Sequence, residues 1–399
     1  MLRICHDKTH KNIKDKIDQS RGNMTKAKIK CVKWAQLSGK RPRKAGCNSR
    51  LGEHGIHVKP PIAAIFADDG TIGFGWSRIN EEQAQSLLGL HVNDIFDMAN
   101  GVKKQFHWIE YPIWDLVGQL VNKPVYSLLD ESIHEGYEFT SPCYDTSLYI
   151  DDLHLIDLKE AADLIASEAV EGRELGHCNY KIKIGRGAMH MPLEDGTLRD
   201  IMVIHAVRDA VGAEAKILLD ANNGYNLNLT KRVLAETAKA NIHWMEEAFH
   251  EDPRFYDNLK NWLQSEGLKT LIADGEGSAS LHLLDWARDG LVDVIQYDIF
   301  GHGFTPWLEL GSQLDQWDVG SAPHHYGGYY GNFVSCHLAA GIQRFEFVEW
   351  DQASILGIDD SAYTITDGYV NVPKSSGFGL SLDQEIFNRR VNQNGFVVM

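Results

Sequence analysis

The stretch KILLDANNGY, residues 216–225, is a short apolar run that ends on Asp220 and is followed at once by turn-forming residues. Other polar residues end apolar runs in the same way, and in chain order the set is Lys183, Asp220, Glu246, Glu276, Asp298, His324 and Glu349. Successive members lie 22 to 37 residues apart, which is about one strand, one helix and two short loops. A barrel of alternating strands and helices brings residues at its strand ends to one mouth. The pattern therefore predicts a barrel and a shared site.

The second half of the chain alternates apolar runs with amphipathic helical stretches. We predict strands over 143–149, 179–184, 216–220, 243–247, 271–274, 293–297, 318–322 and 345–349. Strict alternation of eight strands with helices favours a closed parallel barrel over an open doubly wound sheet.

The first part of the chain does not show the regular alternation of strands and helices. Residues 25–35 and 56–67 read as strands, residues 68–70 as a turn, and residues 71–76 as a hairpin partner. Apolar residues then follow helical spacing from about 80 to 130. The segment 38–55, SGKRPRKAGCNSRLGEHG, has no apolar period, and we expect a long loop there.

These patterns predict four segments of the chain. Residues 1–23 are expected to be a disordered extension or to precede the true start. Residues 24–140 would form an α+β capping domain, 141–365 the barrel, and 366–399 a segment that packs back on the capping domain.

Composition limits the possible partners. The chain has 399 residues, 43% of them hydrophobic, and a net charge of −16. An excess of negative charge argues against binding to nucleic acid or to anionic membranes, and no apolar run is long enough to span a bilayer. The six cysteines are scattered, which is typical of free thiols in a reducing cytoplasm.

Three carboxylates in the series suit a hard cation. Asp220, Glu246 and Glu276 offer only oxygen, and a set completed by water and substrate oxygens suits Mg²⁺ better than Zn²⁺. Taken singly, Asp220 also fits an ordinary turn, Glu246 with Glu247 also fits a solvated acidic pair, and Asp274 competes with Glu276.

Lys181 and Lys183 are two residues apart in a predicted strand, so both side chains point to the same face. Two neighbouring ammonium groups near a divalent cation should have lowered pKa values, which would suit a general base. On another face, Asp298 beside His324 would make a proton-transfer dyad, although His325 competes for that place. Glu349 could hydrogen-bond a substrate carboxylate or its enediolate.

The ordered motifs resemble the enolase superfamily and, within it, the mandelate racemase subgroup. The matching stretches are YKIKIG (180–185), LLDANNGY (218–225), WMEEAF (244–249), IADGEG (272–277), IQYD (295–298), APHHYGG (322–328) and FVEWD (347–351). Residues 68–76 and 112–129 also look like the capping domain of that family. The resemblance covers roughly residues 25–385 and implies a modified (β/α)7β TIM-type barrel with an N-terminal α+β capping domain.

The same resemblance implies roles for the site residues. Asp220, Glu246 and Glu276 would bind Mg²⁺, Lys183 with Lys181 beside it would serve one face of the substrate, and the Asp298–His324 dyad the other. Glu349 would assist by hydrogen bonding. The segment IFGHGF after Asp298 is about one residue short of the family pattern, so the choice between His324 and His325 stays open.

A basic segment bears on the substrate. Lys40, Arg41, Arg43, Lys44 and Arg50 lie close together in an acidic protein, and in the family this loop folds over the site and sets specificity. It suggests an anionic, polyhydroxylated substrate such as a sugar acid or diacid. The candidate substrate-binding residues are Asn222, Lys40, Arg50, His325, Tyr326 and Trp350, with His302 nearby.

We therefore expect an acid-sugar dehydratase that removes the proton α to a carboxylate and expels the β-hydroxyl of an aldonate or aldarate, giving a 2-keto-3-deoxy acid. The alternatives are a racemase, epimerase or cycloisomerase acting through the same enediolate, and a non-catalytic sugar-acid-binding barrel. The resemblance also implies a homo-oligomer, from dimer to octamer.

Overall fold

The computed structural model describes residues 26–130, 132–133, 137–325 and 328–399. The extension expected over residues 1–23 and the candidate Tyr326 lie outside these ranges. None of the helices in the described ranges is both long and apolar enough to cross a bilayer.

The strands and helices follow one another along the whole described chain. The strands are β1 Ile29–Gln36, β2 Gly39–Ala45, β3 Gly55–Val58, β4 Pro61–Ala67, β5 Ile72–Trp76, β6 Phe96–Asp97, β7 Gly101–Val102, β8 Phe139–Leu148, β9 Asn179–Lys183, β10 Lys216–Asp220, β11 Ile242–Glu246, β12 Leu271–Asp274, β13 Val294–Ile295, β14 Gly320–Ser321, β15 Val348–Trp350, β16 Ser354–Ile355, β17 Ile358–Asp359, β18 Thr364–Thr366, β19 Tyr369–Val372, β20 Ser381–Leu382 and β21 Phe396–Val398. The α-helices are α1 Glu81–Leu87, α2 Val92–Ile95, α3 Glu110–Val121, α4 Tyr126–Leu129, α5 Leu158–Glu174, α6 Arg186–Met189, α7 Leu193–Val211, α8 Leu227–Glu236, α9 Pro253–Glu266, α10 Leu283–Arg288, α11 Ile299–His302, α12 Phe304–Gln316, α13 Tyr330–Leu338 and α14 Gln384–Asn394.

A four-stranded antiparallel sheet contains both ends of the described chain. Its order is β21-β1-β4-β5, and the predicted hairpin of β4 and β5 is confirmed. Trp34 of β1 stacks on Phe396 of β21 with ring centroids 5.8 Å apart, so the last strand is fixed by side chains as well as by backbone pairing.

The basic segment is not the long loop that the sequence suggested. Residues 39–45 form β2, which pairs with β3 on one side and with β16 on the other. The burial of its side chains alternates, as expected for a strand with one covered face. The expectation failed because polar residues occupy both faces and one partner strand lies about 300 residues away in sequence.

The eight predicted barrel strands are confirmed as β8 to β15. From β8 to β14 each strand pairs in parallel with the next, and β15 pairs in parallel with β8. A backbone bridge between Ser321 and Phe345 completes the circle. The connections carry helices α5, α7, α8, α9, α10, α12 and α13 in turn, which gives the expected (β/α)7β barrel.

Aromatic and aliphatic side chains fill the barrel interior beneath its mouth. This inner cluster consists of Tyr144, Leu218, Trp244, Ala273, Val294, Ala322 and Phe347. Leu218, Trp244 and Phe347 each precede a polar residue of the series by two positions, so they lie on the same inner face one step deeper. The polar residues at the mouth therefore pack on a layer of buried apolar side chains inside the barrel.

Candidate active site

The strand register brings the polar strand ends together. Asp220 is the pairing partner of Lys183 in β9 and of Glu246 in β11. Asp298 and His324 face each other across a parallel backbone bridge. Parallel pairing without a slip at these positions is what places consecutive strand ends side by side.

The three predicted metal-binding carboxylates form one cluster. Each of Asp220, Glu246 and Glu276 offers an oxygen, and these oxygens lie within 4.8 Å of one another. Burial and the charge of Asp220 raise the pKa of Glu246 to about 8, which reflects the cost of crowding like charges away from water. A divalent cation between the oxygens would relieve that repulsion, and an all-oxygen set fits Mg²⁺. Asp274, the rival of Glu276, instead accepts a hydrogen bond from the Tyr256 hydroxyl at 2.6 Å.

Both lysines are buried and paired with this cluster. Lys181 Nζ lies 2.8 Å from Glu246 Oε1 and 3.0 Å from Glu349 Oε1, and Lys183 Nζ donates to Asp220. The lowered pKa values, which were expected beside a divalent cation, stay a prediction. Burial alone lowers the pKa of Lys183, but the surrounding carboxylates, Asp220 first, outweigh burial and raise it.

His324 lies between two carboxylates. Its Nε2 is 2.8 Å from Glu276 Oε2, and its Nδ1 is 3.4 Å from Asp298 Oδ2. Burial lowers the pKa of His324, but the charges of Glu276 and Glu349 outweigh it and hold the pKa well above the usual range. His325 points elsewhere, since it is fully buried and its ring contacts the carbonyl oxygen of Glu349. Of the two histidines, the structure thus places His324 beside Asp298.

Glu349 connects several parts of the site. Thr146 Oγ1 donates to its Oε1 at 2.8 Å, and the backbone N–H of His325 donates to its Oε2 at 2.9 Å. Burial raises the pKa of Glu349, but Lys181 and His324 outweigh it and hold the pKa well below the usual range. The carboxylate is therefore charged and accepts hydrogen bonds.

Asn222 and Glu247 form an inner polar layer beside Glu276. Asn222 Nδ2 donates to Glu276 Oε1 at 2.8 Å and to Glu247 Oε2 at 3.0 Å. The reading of Glu247 as a solvated acid is wrong, because its side chain is buried. Burial and the hydrogen bond with Glu276 raise the pKa of Glu247 to about 10.

The turns after β10 and β11 explain why the contacts between Asn222, Glu247 and Glu276 could not be predicted from the sequence. Asn222 has φ 42° and Glu247 has φ 41°, both in the left-handed region. Asn tolerates that region, whereas Glu rarely adopts it. Only the Asn-Asn pair gave a signal of an unusual turn; Glu247 gave none.

The remaining candidates lie at different distances from the cluster. Arg50 is exposed, with Nη2 3.8 Å from Glu247 Oε2. Trp350 is half-buried and meets Phe333 edge to face at 5.9 Å. Lys40 is exposed on β2, on the face opposite to Arg41, so its position gives no support to a role in substrate binding.

Comparison with known proteins gives consistent results. Residues 164–386, more than half of the chain, match the family described as Enolase C-terminal domain-like. Galacturonate dehydratase from a Geobacillus species, solved as a mutant with Mg, is 45% identical, with a TM-score of 0.91 and coverage of 94% of this chain and 97% of that chain. The same enzyme was also solved with D-galacturonate and 5-keto-4-deoxy-D-galacturonate, at 45% identity, a TM-score of 0.90 and coverage of 94% and 100%.

Two further relatives extend the comparison. A mandelate racemase/muconate lactonizing protein from a Geobacillus species, complexed with magnesium/tartrate, is 45% identical, with a TM-score of 0.92 and coverage of 94% and 98%. Arabinonate dehydratase from Saccharolobus solfataricus is 24% identical over 287 residues, 70% of each chain. The barrel, its strand-end residues and these matches lead to one conclusion: this chain belongs to the enolase superfamily, among the relatives of mandelate racemase and muconate lactonizing enzyme.

Proposed function

We propose that this protein is a Mg²⁺-dependent hydro-lyase that removes the proton α to the carboxylate of a sugar acid and expels the β-hydroxyl. The observation that carries the proposal is the placement of two proton-transfer groups around one carboxylate cluster. Lys183 reaches the cluster through Asp220, and His324 reaches it through Glu276. The two groups come from β9 and from the end of β14, so they approach from different sides of the mouth.

Each residue has a role in this scheme. Asp220, Glu246 and Glu276 hold Mg²⁺, which when bound polarises the substrate carboxylate and so acidifies the α-carbon. With a bound cation offsetting the carboxylate charge that raises the pKa of Lys183, Lys183 would take the α-proton as a neutral amine. His324, oriented by Asp298, would donate a proton to the departing hydroxyl. Lys181, held by Glu349, adds positive charge where the enediolate develops.

A hexuronate is the substrate best supported. The two compounds bound to the Geobacillus enzyme, D-galacturonate and 5-keto-4-deoxy-D-galacturonate, differ by removal of water next to the carboxylate. That is the same α-proton and β-hydroxyl chemistry, applied to a uronate instead of an aldonate or aldarate. In this chain, Asn222 Oδ1 is buried with no hydrogen-bond partner among the described residues, so it can accept a hydrogen bond from a substrate hydroxyl.

Racemisation, epimerisation or cycloisomerisation through the same enediolate is the second candidate, because two proton-transfer groups could also return the proton to the other face. Relatives with more distant sequences include D-galactarolactone cycloisomerase from Agrobacterium fabrum, 24% identical over 365 residues. A homo-oligomer and a cytoplasmic location remain predictions, which gel filtration with light scattering and fractionation would test.

The test uses the Mg²⁺-loaded protein with D-galacturonate in D₂O. We expect NMR to show a 5-keto-4-deoxy product, and we expect Lys183→Met to abolish its formation while circular dichroism stays unchanged. Exchange at C5 with recovery of an epimer and without keto product would favour the second candidate. Neither exchange nor product with D-galacturonate or its stereoisomers would refute both.

A further inference from the structure

A cleft adjoins the catalytic cluster on the side of the basic strand. It lies between β2 and the carboxyl ends of β8 and β15, and its lining includes Arg41, Arg43, Thr146, Tyr149, Asp351 and Gln352. Thr146 contacts this cleft and also donates to Glu349 Oε1 at 2.8 Å. The cleft is therefore one side chain away from the catalytic residues.

A histidine packs beside this cleft. His54 meets Tyr149 edge to face, with ring centroids 5.2 Å apart. Burial first, and then the charges of Lys183 and Arg41, lower the pKa of His54 to about 4. The imidazole beside the cleft is therefore neutral near pH 7 and adds no positive charge to it.

The charges of β2 are divided between its two faces. Arg41 and Arg43 are partly buried on the inner face, and Lys40 and Lys44 are exposed on the outer face. Arg41 and Arg43 line the cleft, and the exposed Lys44, which pairs with Glu53, lines it as well.

Both inner arginines already have acidic partners. Arg41 Nη2 lies 2.9 Å from Asp351 Oδ2, with side chains 9% and 6% exposed. Arg43 lies 3.0 Å from Glu171 and 3.5 Å from Glu168. The cleft therefore carries little net positive charge. Of the two substrate classes that the sequence suggested for this segment, a sugar acid or a diacid, this charge balance favours an acid with one carboxylate.

We propose that the Arg41–Asp351 pair makes the far end of the substrate site select a neutral group, so that the protein uses monocarboxylic sugar acids and rejects the corresponding dicarboxylic acids. This inference rests on the proposed dehydratase function. Arg41 already forms an ion pair with Asp351, so it is not available to bind a second substrate carboxylate. The Asp351 carboxylate also repels such a group in a poorly solvated cleft. The proposal concerns six-carbon acids. Tartrate, which was bound to the Geobacillus relative, is a four-carbon diacid whose second carboxylate reaches less far.

The test compares D-galacturonate with galactarate, which differ only at C1, an aldehyde in one and a carboxylate in the other. We expect wild-type kcat/KM to favour galacturonate by about tenfold or more. Asp351→Asn should move the ratio toward galactarate by about tenfold, because it frees Arg41 to bind the second carboxylate. The Asn side chain can still accept the hydrogen bond that Asp351 Oδ1 takes from Ala353 N at 3.0 Å.

Two further variants identify the cause of any shift. The double variant Arg41→Gln/Asp351→Asn should lose the gain with galactarate, since no cation is left to bind it. Glu236→Gln, which removes an exposed carboxylate paired with Arg232 at 2.8 Å outside the cleft, should leave the ratio as in wild type. A gain that survives in the double variant, or that Glu236→Gln reproduces, would overturn the proposal.

Comparing the two acids on the wild-type protein gives a test that needs no variant. A wild-type enzyme that dehydrates galactarate as efficiently as galacturonate would overturn this inference and leave the dehydratase proposal standing. Turnover of neither acid would overturn both.

Discussion

Asp298 Oδ2 lies 3.4 Å from His324 Nδ1, and the backbones of the same two residues form a parallel bridge. The carboxylate therefore meets one ring nitrogen and leaves Nε2 directed at the carboxylate cluster. A carboxylate at Nδ1 fixes which nitrogen carries the proton and stabilises the protonated ring.

Asp298→Asn should lower kcat by about 10²–10⁴-fold, the range attributed to a positioned acid–base group. KM should change little, because in the proposed scheme Asp298 acts through His324. Asp298 Oδ1 also caps α11 by accepting from Gly301 N at 2.7 Å, and Asn can keep that cap. A melting temperature equal to that of wild type would show that the cap is kept, and unchanged kcat would contradict the dyad.

The two adjacent histidines should respond differently to replacement. His324→Ala should reduce turnover by at least about 10²-fold with little loss of stability, because it removes an acid–base group at the mouth. His325→Ala should cost about 2–4 kcal/mol in urea unfolding, because it empties a fully buried position. An active His324→Ala beside a folded but inactive His325→Ala would reverse the assignment.

Mg²⁺ should stabilise the protein through the three clustered carboxylates. A cation that binds only the folded state adds about 2.7 kcal/mol at a hundred times its Kd. Thermal melts of wild type with and without Mg²⁺ should show that increase, and Asp220→Asn or Glu246→Gln should lose most of it. Asp257→Asn removes an exposed carboxylate outside the cluster and serves as the control. An equal Mg²⁺ effect in all variants would place the ion elsewhere.

His337 should make the fold sensitive to acid. Its Nδ1 accepts from Tyr126 N at 3.0 Å, and its Nε2–H donates to the Tyr363 hydroxyl at 2.9 Å, since that hydroxyl itself donates to the Phe378 carbonyl. Burial lowers the pKa of His337 to about 3. Between that value and the unfolded pKa of about 6.5, only the unfolded chain binds the proton, so stability falls as pH falls.

The expected loss from His337 is about 2 kcal/mol between pH 8 and pH 5. Urea unfolding at both pH values should show that His337→Gln, although less stable overall, loses about that much less than wild type. Equal losses in the two proteins would mean that His337 is protonated in the folded state or that other groups control the effect.

The sequence predicted those features that depend on chain order. The eight barrel strands followed from one strand per period, and the meeting of Lys183, Asp220 and Glu246 followed from parallel pairing of neighbours. Features set by distant partners were missed. β2 depends on β16, which lies about 300 residues away in sequence, and the ion pairs of Lys181 depend on carboxylates from several strands. The burial of Glu247 depends on a left-handed backbone turn, and a glutamate in the sequence does not indicate such a turn.

Some sequence-based statements remain predictions. The boundaries at residues 140 and 365 and the chemical role of each site residue are for the experiments above to test. The choice between His324 and His325 was beyond the sequence, because a shift of one residue is not visible without the bridge between Asp298 and His324.

The pairing of β2 with β16 and of β1 with β21 also orders events during synthesis. A ribosome-bound chain that has just released β15 contains every barrel strand, yet it lacks β16 and β21, the partners of β2 and β1. Because domains fold as the chain emerges, we expect the barrel to form before β1 and β2 gain these partners. A chain that ends after β15 should therefore keep the barrel strands and leave β1 and β2 with one neighbour fewer each.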